Sequence, residues 1–243
     1  MKKFLTNVKA LAIIPARGGS KGIKKKNLKK LDGKPLIFYT IESAKKSKKF
    51  DRIIVSTDNK EIAKISKKFG ADVPFSRPPR ISGDDIPMIK VIKHAVDFLE
   101  KEESYIPDII SILQPTSPLR TSKIITDSFN LLKKNNSTSV ISVSKTKHHP
   151  FSLFDKKKYF LKPSEKNFEK YTLRQSLSSL YHPNGIIYTF WHKTLKKYDS
   201  IYGPRIFPLI INDPIQMLDI DNTFDFFITE MTKKYWKNYQ KYF

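Results

Sequence analysis

The chain has no cysteine, few glycines and few arginines. Its 243 residues include only 8 glycines, and seven of its 46 basic residues are arginine. Without cysteine there is no disulfide, no thiolate-bound zinc or iron–sulfur cluster, and no thiol nucleophile. Long apolar runs are missing too, since no stretch approaches the ~18–20 residues that span a bilayer. Met1-Lys2-Lys3 has the charge of a signal-peptide start, but the run behind it, Leu11 to Ile14, is far too short and ends at Pro15 and Arg17. A cytoplasmic protein with no membrane partner is expected. Acidic residues are scarce as well: 23 of them leave a formal charge of +23.

That charge has several readings: nucleic acid, an anionic surface, small polyanionic substrates, or compositional bias. The lysines come as doublets along the whole chain, such as Lys45-Lys46, Lys133-Lys134 and Lys233-Lys234. Most fall on the polar side of helical patterns, where they solvate a face. A nucleic-acid binder clusters its charge and leans on arginine. No helix-turn-helix or RNP-like motif is present, so nucleic acid is not expected as a partner, though it stays the alternative from another functional class. The hydrophobic fraction of 39% and aromatic fraction of 12% support a folded chain of one large domain.

Strand and helix patterns alternate. Leu11–Ile14 is a short apolar run of the kind buried on both faces of a sheet. A helix follows from about Pro35 to Lys46, a strand over Arg52–Thr57, and a helix ending at Phe69-Gly70 whose start has capping-box character in Asp58 and Glu61. A brief strand over Ala71–Phe75, a helix over Pro87–Lys101, a strand over Asp108–Leu113, a helix over Ser122–Lys134 and a strand over Ser139–Val143 complete this half. The alternation predicts a mostly parallel sheet with helices on both faces. From Lys145 to His182 the period is lost, which marks a long loop or small subdomain. Regular structure returns at Gly185–Phe190, Arg205–Ile211 and Gln216–Ile220. A last helix starts near Asn222 and carries Phe224, Phe227, Ile228, Met231 and Tyr235 on one face.

Two segments carry chemistry. Three of the glycines, Gly18, Gly19 and Gly22, fall within five residues directly after the first strand, together with Arg17, Lys21 and Lys26. Glycines there let backbone N–H groups approach an anion, and the carboxyl end of an early strand is where open α/β sheets bind ligands. The spacing is neither a Walker loop nor the dinucleotide G-x-G-x-x-G pattern; a flexible basic turn is the plain alternative. In Asp219-Ile220-Asp221, strand spacing would point both carboxylates to one place, which suits Mg²⁺. Equally, Asp221 or Asn222 would cap the last helix, with Asp225 closing a capping box.

Ala12–Gly22 with Lys26-Asn27 resembles the N-terminal motif of the CMP-sialic acid synthetases, the acylneuraminate cytidylyltransferases. Further matching segments follow in the family's order: Phe50–Asp58, Val73-Pro74-Phe75 with Arg77-Pro78, Leu113–Arg120, His148-His149-Pro150, Arg174-Gln175, Pro183–Tyr188 and Asp219–Asp221. The resemblance covers nearly the whole chain. It implies a three-layer α/β/α nucleotide-diphospho-sugar transferase fold, Rossmann-like, as a single domain over 1–243. A dimerisation or substrate element would be inserted at 145–182, and the protein would be a homodimer. It also implies a reaction in which CTP and an acidic nine-carbon sugar give the CMP-sugar and pyrophosphate, with Mg²⁺.

By the same resemblance, Ala16, Arg17, Gly18, Gly19, Ser20 and Lys21 hold the β- and γ-phosphates, and Lys26 and Asn27 lie near the α-phosphate and ribose. Arg77 completes the CTP site. Asp219 and Asp221 hold the metal, and with Arg17, Lys21 and Lys26 they form the catalytic set. Gln114, His149, Arg174, Asn184 and Tyr188 face the sugar, with Arg174 suited to a bidentate grip on its carboxylate. The chain departs from the family at His182, where many relatives have arginine, at Asp85-Ile86-Pro87-Met88, where hydroxyl residues are common, and at Asn222, where threonine follows the Asp-Ile-Asp. Val73–Pro78 and Gly83-Asp84-Asp85 are at least as similar to legionaminate and pseudaminate enzymes as to neuraminate ones. A Kdo-type acid sugar is the other acceptor in view.

Overall fold

A computed structural model describes residues 8–146, 148–166 and 178–239. In chain order the elements are β1 (Ala10–Pro15), β2 (Lys30–Leu31), β3 (Lys34–Pro35), α1 (Leu36–Ser47), β4 (Arg52–Ser56), α2 (Lys60–Lys68), α3 (Met88–Glu103), β5 (Ile109–Ile112) and α4 (Ser122–Lys134). They continue with β6 (Ser139–Lys145), β7 (Phe154–Lys157), β8 (Phe160–Pro163), β9 (Tyr181–Trp191), α5 (His192–Tyr198), β10 (Ile206–Ile210) and α6 (Thr223–Tyr239). Six strands form one sheet in the order β10, β6, β9, β5, β1, β4. Neighbours run parallel except at β9, which is antiparallel to both β5 and β6. β2 with β3, and β7 with β8, are separate two-stranded hairpins.

Why β1 reads as an unbroken apolar run is visible in its two faces. Ala10, Ala12 and Ile14 pack with Ile37 and Ile41 of α1 and with Ile125 and Phe129 of α4. The alternate residues, Leu11 and Ile13, pack with Ile92, Val96 and Leu99 of α3 and Leu195 of α5. Both faces are covered, so no position along the strand tolerates a charge. These are the three expected layers, and burying each such side chain contributes about 1.5–3 kcal/mol. A third apolar cluster, Ile23, Leu31, Leu36, Ile220 and Phe226, ties α6 to the segment after β1.

Helix ends follow local chemistry. Pro35 precedes α1, and Lys48 in the left-handed region closes it. Thr121 caps α4, accepting a hydrogen bond from Ile124 N–H. For α2 the expectation is corrected by one residue. Asn59, not Asp58, is the cap, its side chain accepting from Glu61 and Ile62 N–H. The stretch expected as a strand at Ala71–Phe75 forms only isolated parallel bridges, Ile54 with Asp72 and Thr57 with Ser76. Gln216–Ile220 is a turn and an irregular segment rather than regular structure.

α6 starts where expected, but it turns Phe226 and Thr229 inward and leaves Phe224, Phe227 and Tyr235 exposed. Between 145 and 182 the described residues give a short turn at Pro150–Ser152 and the β7–β8 hairpin. No helix among the described residues is long and apolar enough to cross a membrane.

Candidate active site

At Pro15 the chain leaves the carboxyl edge of the sheet and wraps back on itself before the turn at Lys26–Leu28. Two amides of this loop are engaged within the protein. Ala16 N–H donates to Ser56 O at 2.9 Å, and Gly18 N–H donates to the Asp58 carboxylate at 2.7 Å. The Asn27 side chain is buried and donates to Arg17 O at 3.1 Å, so it braces the loop from behind. At Gly19 an added Cβ would meet nothing within 4 Å, which places this residue on the open side.

Gly22 is the opposite case. A Cβ there would lie 2.2 Å from Asp221 O, closer than any real contact. Only glycine lets the loop lie against the segment 220–222. Around that contact Ile220 is buried, its N–H donating to Thr116 O at 2.9 Å and its carbonyl accepting from Lys26 Nζ at 2.7 Å.

The carboxylates flanking Ile220 therefore sit in an irregular segment rather than on a strand, and their environments differ. Asp219 turns inward and accepts from Ser117 Oγ at 3.2 Å. Burial pushes its pKa up, reinforced by the nearby charge of Asp221 and opposed by Lys26. Asp221 is 79% exposed, with Lys26 Nζ 3.8 Å away. The capping alternative also holds, with Asn222 rather than Asp221 as the cap: Asn222 Oδ1 accepts from Phe224 and Asp225 N–H, and Asp225 accepts from Asp221 and Asn222 N–H. Capping thus consumes Asn222 and Asp225 and spares the Asp221 side chain.

A cleft of about 310 Å³ has walls that include Arg17, Ser20, Lys21, Lys26, Gln114 and Asp221, while Asp219 lies behind it and does not line it. A recess of about 170 Å³ shares Pro15, Arg17 and Met88 with it and is lined further by Arg77, Ile81, Asp84 and Ile86. Arg77 is buried, its guanidinium donating to Ser56 Oγ at 3.1 Å and to Ser56 O. Burial pushes its pKa down to about 10; Asp58 opposes the shift and Arg17 adds to it. A roomier groove of about 660 Å³ follows the outer face of α3 beside Arg80, Lys90 and His94. It lacks the paired carboxylates and the glycine loop, and convergent polar groups identify a site better than size.

On the acceptor side, Gln114 lines the cleft with its side-chain oxygen against Gly185, where a Cβ would stand 3.1 Å from it. Asn184 is engaged internally, donating to Ser144 Oγ at 2.9 Å and accepting from Ile186 N–H at 3.3 Å. Tyr188 lies on β9, its pKa raised first by burial and also by Tyr202 and Asp219. His149 is set apart on the inserted region, its Nδ1 capping the turn at Pro150 by accepting from Phe151 N–H at 3.3 Å. Arg174 lies outside the described residues.

Three residues absent from the expected set belong to this site. Asp58 anchors Gly18 from the carboxyl end of β4, the edge at which ligands gather; that placement was the available signal. Arg120 is buried and donates to Ile186 O at 2.6 Å, Gln114 O at 2.6 Å and Thr40 Oγ1 at 3.4 Å, bracing both acceptor segments. Its position in the Leu113–Arg120 segment pointed to it. Asp84 pairs with Arg17 and Lys21; its Gly83-Asp84-Asp85 segment stands out by resemblance, but nothing local points to this pairing.

Among the described residues no three acidic or histidine side chains gather as a ready metal site. The donors at Asp219 and Asp221 are all oxygen, which suits a hard cation that keeps several waters and is completed by substrate phosphates.

The profile of the cytidylyltransferase family matches residues 11–231. The chain is 35% identical over 229 residues to post-translational flagellin modification protein B of Campylobacter coli, covering 92% of this chain and 94% of the relative. It is 34% identical over 232 residues to CMP-N,N'-diacetyllegionaminic acid synthase of Legionella pneumophila, covering 92% and 95%. Among solved structures, CMP:2-keto-3-deoxy-manno-octonic acid synthetase complexed with CTP superposes with a TM-score of 0.66 at 16% identity, covering 93% of this chain and 98% of that one. At that identity the likeness speaks for the fold.

Proposed function

The chain belongs to the cytidylyltransferase family, and from that premise we propose that it transfers CMP from CTP to the anomeric hydroxyl of a nonulosonic acid, releasing pyrophosphate. The observation that carries this reading is the convergence of Arg17, Lys21 and Lys26 with Asp221 on one cleft, joined to a smaller recess beside buried Arg77. The cleft suits a polyphosphate chain and the recess suits a base.

In this reading Arg17, Ser20, Lys21 and the amides after Gly18 hold the β- and γ-phosphates. Lys26 is 14% exposed and fixed by Ile220 O, so it offers a placed cation at the α-phosphate. Asn27 keeps the loop closed beneath the ribose. Asp219 and Asp221 hold Mg²⁺, which when bound supplies Lewis-acid charge to the phosphate oxygens. Gln114, Asn184, Tyr188, His149 and Arg174 orient the acid sugar so that its anomeric oxygen meets the α-phosphorus in line. The new P–O bond forms as the bond to the β-phosphate oxygen breaks. Positioning and charge stabilisation supply most of the rate.

The insertion supports a homodimer. Tyr159, Phe160 and Leu161 on the hairpin are 93%, 78% and 66% exposed, an apolar surface that a second copy would cover. The lysines outside the cleft act as solubilising surface, with no nucleic acid and no membrane as partner, in keeping with a cytoplasmic enzyme. The function is tested by incubating the protein with Mg²⁺, CTP and a panel of neuraminic, legionaminic, pseudaminic and Kdo acids, scoring pyrophosphate and CMP-sugar. Turnover with a nine-carbon acid is expected. Turnover with Kdo alone would move the acceptor class, and no pyrophosphate with any acid would overturn the reading.

A further inference from the structure

Two of the three cations that line the cleft already hold an anion, and it is the protein's own. One oxygen of Asp84 meets Arg17 Nη1, and the other lies 3.4 Å from Lys21 Nζ. Among the described residues neither cation forms another ion pair. Asp84 sits in the irregular stretch between the turn at Pro79–Ile81 and α3, a segment not fixed by sheet or helix. Beside it a Cβ on Gly83 would find only Ile86, at 3.6 Å, so the backbone there has room to move. Asp84 is 29% exposed, so its pairing is less screened than that of a fully solvated ion pair.

We propose that Asp84 is a resident counter-ion that stands in for the terminal phosphates of the nucleotide and is displaced when a triphosphate binds. The inference deepens the reading of the cleft as a CTP site and rests on it. A ligand must carry enough negative charge in the right place to take both cations from one carboxylate. A triphosphate does; a monophosphate, which ends before Arg17 and Lys21, does not compete at all. The same carboxylate is available to retake the cations as pyrophosphate leaves, which favours release of that product. Asp84 thus sets selectivity for the length of the phosphate chain without being required for the transfer itself.

The sign of the effect distinguishes this role from the alternatives. If Asp84 contacted the base or oriented Arg17 for the nucleotide, its removal would weaken CTP. If it competes with the nucleotide, its removal tightens CTP. Calorimetric titrations of the intact protein with Mg²⁺ and no acceptor sugar compare wild type, Asp84→Asn and Asp84→Glu against CTP, pyrophosphate and CMP. We expect D84N to bind CTP and pyrophosphate roughly fivefold to tenfold more tightly, the scale of two partly screened ion pairs. CMP binding should stay within about twofold, and D84E, which keeps the charge, should resemble wild type. In turnover, D84N should lower the KM for CTP and strengthen inhibition by added pyrophosphate.

Unchanged or weaker CTP binding by a D84N protein with a wild-type melting temperature would overturn the role. A gain that extends equally to CMP would also overturn it. Failure of the functional reading shows separately, as absent turnover of the wild type with every acid sugar. The binding comparison does not depend on an acceptor and stands or falls by itself.

Discussion

The loop that leaves β1 and the hairpin of β7 and β8 are both lysine-rich and both lie outside the helical layers, yet they treat their side chains differently. In the loop Ile23 is buried with Ile220 and Phe226, and Asn27, Lys26, Arg17 and Gly18 each have a protein partner. In the hairpin Tyr159, Phe160 and Leu161 face solvent while Lys156, Lys157 and Lys158 surround them. One region packs its apolar side chains within the chain; the other leaves them facing solvent. A shared composition does not imply a shared role. A glycine or a buried isoleucine at the right place decides which lysines are placed and which are merely solvated.

The sharpest way to break this contrast is at the loop. Asp221→Ala is expected to lower pyrophosphate release about 10²–10³-fold while leaving the melting temperature near that of wild type, because the side chain caps nothing. Near-normal release would remove Asp221 from the metal site. Next in size, Gly22→Ala drives a Cβ into Asp221 O and should cost on the order of 10²-fold in rate by shifting the loop about an ångström. Gly19→Ala meets open space and serves as its control for stability. Equal melting temperatures and rates for the two glycine variants would show that the close approach is unimportant.

At the hairpin the expected effects are smaller and of another kind. Replacing Tyr159 and Phe160 together by serine should shift the protein from dimer to monomer in sedimentation, without moving the melting temperature of the sheet domain by more than about 2 °C. A wild-type protein that is already monomeric would end that assignment. Smallest of all, Asn59→Ala removes the cap of α2 and should cost about 1 kcal/mol in denaturant unfolding. Its effect on turnover should be minor, since Asp58, not Asn59, anchors Gly18.

What the sequence made legible follows the same division. The runs that became β1, β5 and α4 could be placed closely, because burial on two faces or a regular apolar stripe leaves little choice. Phe224, Phe226 and Phe227 lie too near each other for periodicity to say which faces inward. Ile23, Leu31, Leu36 and Ile220 decide it for Phe226, and they come from elsewhere in the chain. Asp219 and Asp221 were found as a pair but attributed to strand geometry, whereas a buried residue between them and two backbone hydrogen bonds set their directions. Asp58, with Glu61 three positions on, fits a capping box by spacing, but Asn59 is the residue whose side chain caps α2. Asp84 stands in a segment marked by resemblance, but its pairing is not legible, since its partners lie 67 and 63 positions away in sequence and no local pattern marks such a pairing.

β9 has a consequence for how this protein could diversify. It alone runs against the parallel strands, so its beginning, not its end, lies at their carboxyl edge, where Lys145 at the close of β6 pairs with Tyr181 at the opening of β9. Whatever the chain inserts between those two residues starts and ends at the carboxyl edge of the parallel strands, the edge that β1 also leaves toward the cleft. Under the proposed function, lengthening or trimming that insertion would change the acceptor side, while the nucleotide side, built on β1, β4 and the segment around Ile220, would be left as it was. In that reading part of the acceptor's surroundings would be free to change at a different rate from the nucleotide site.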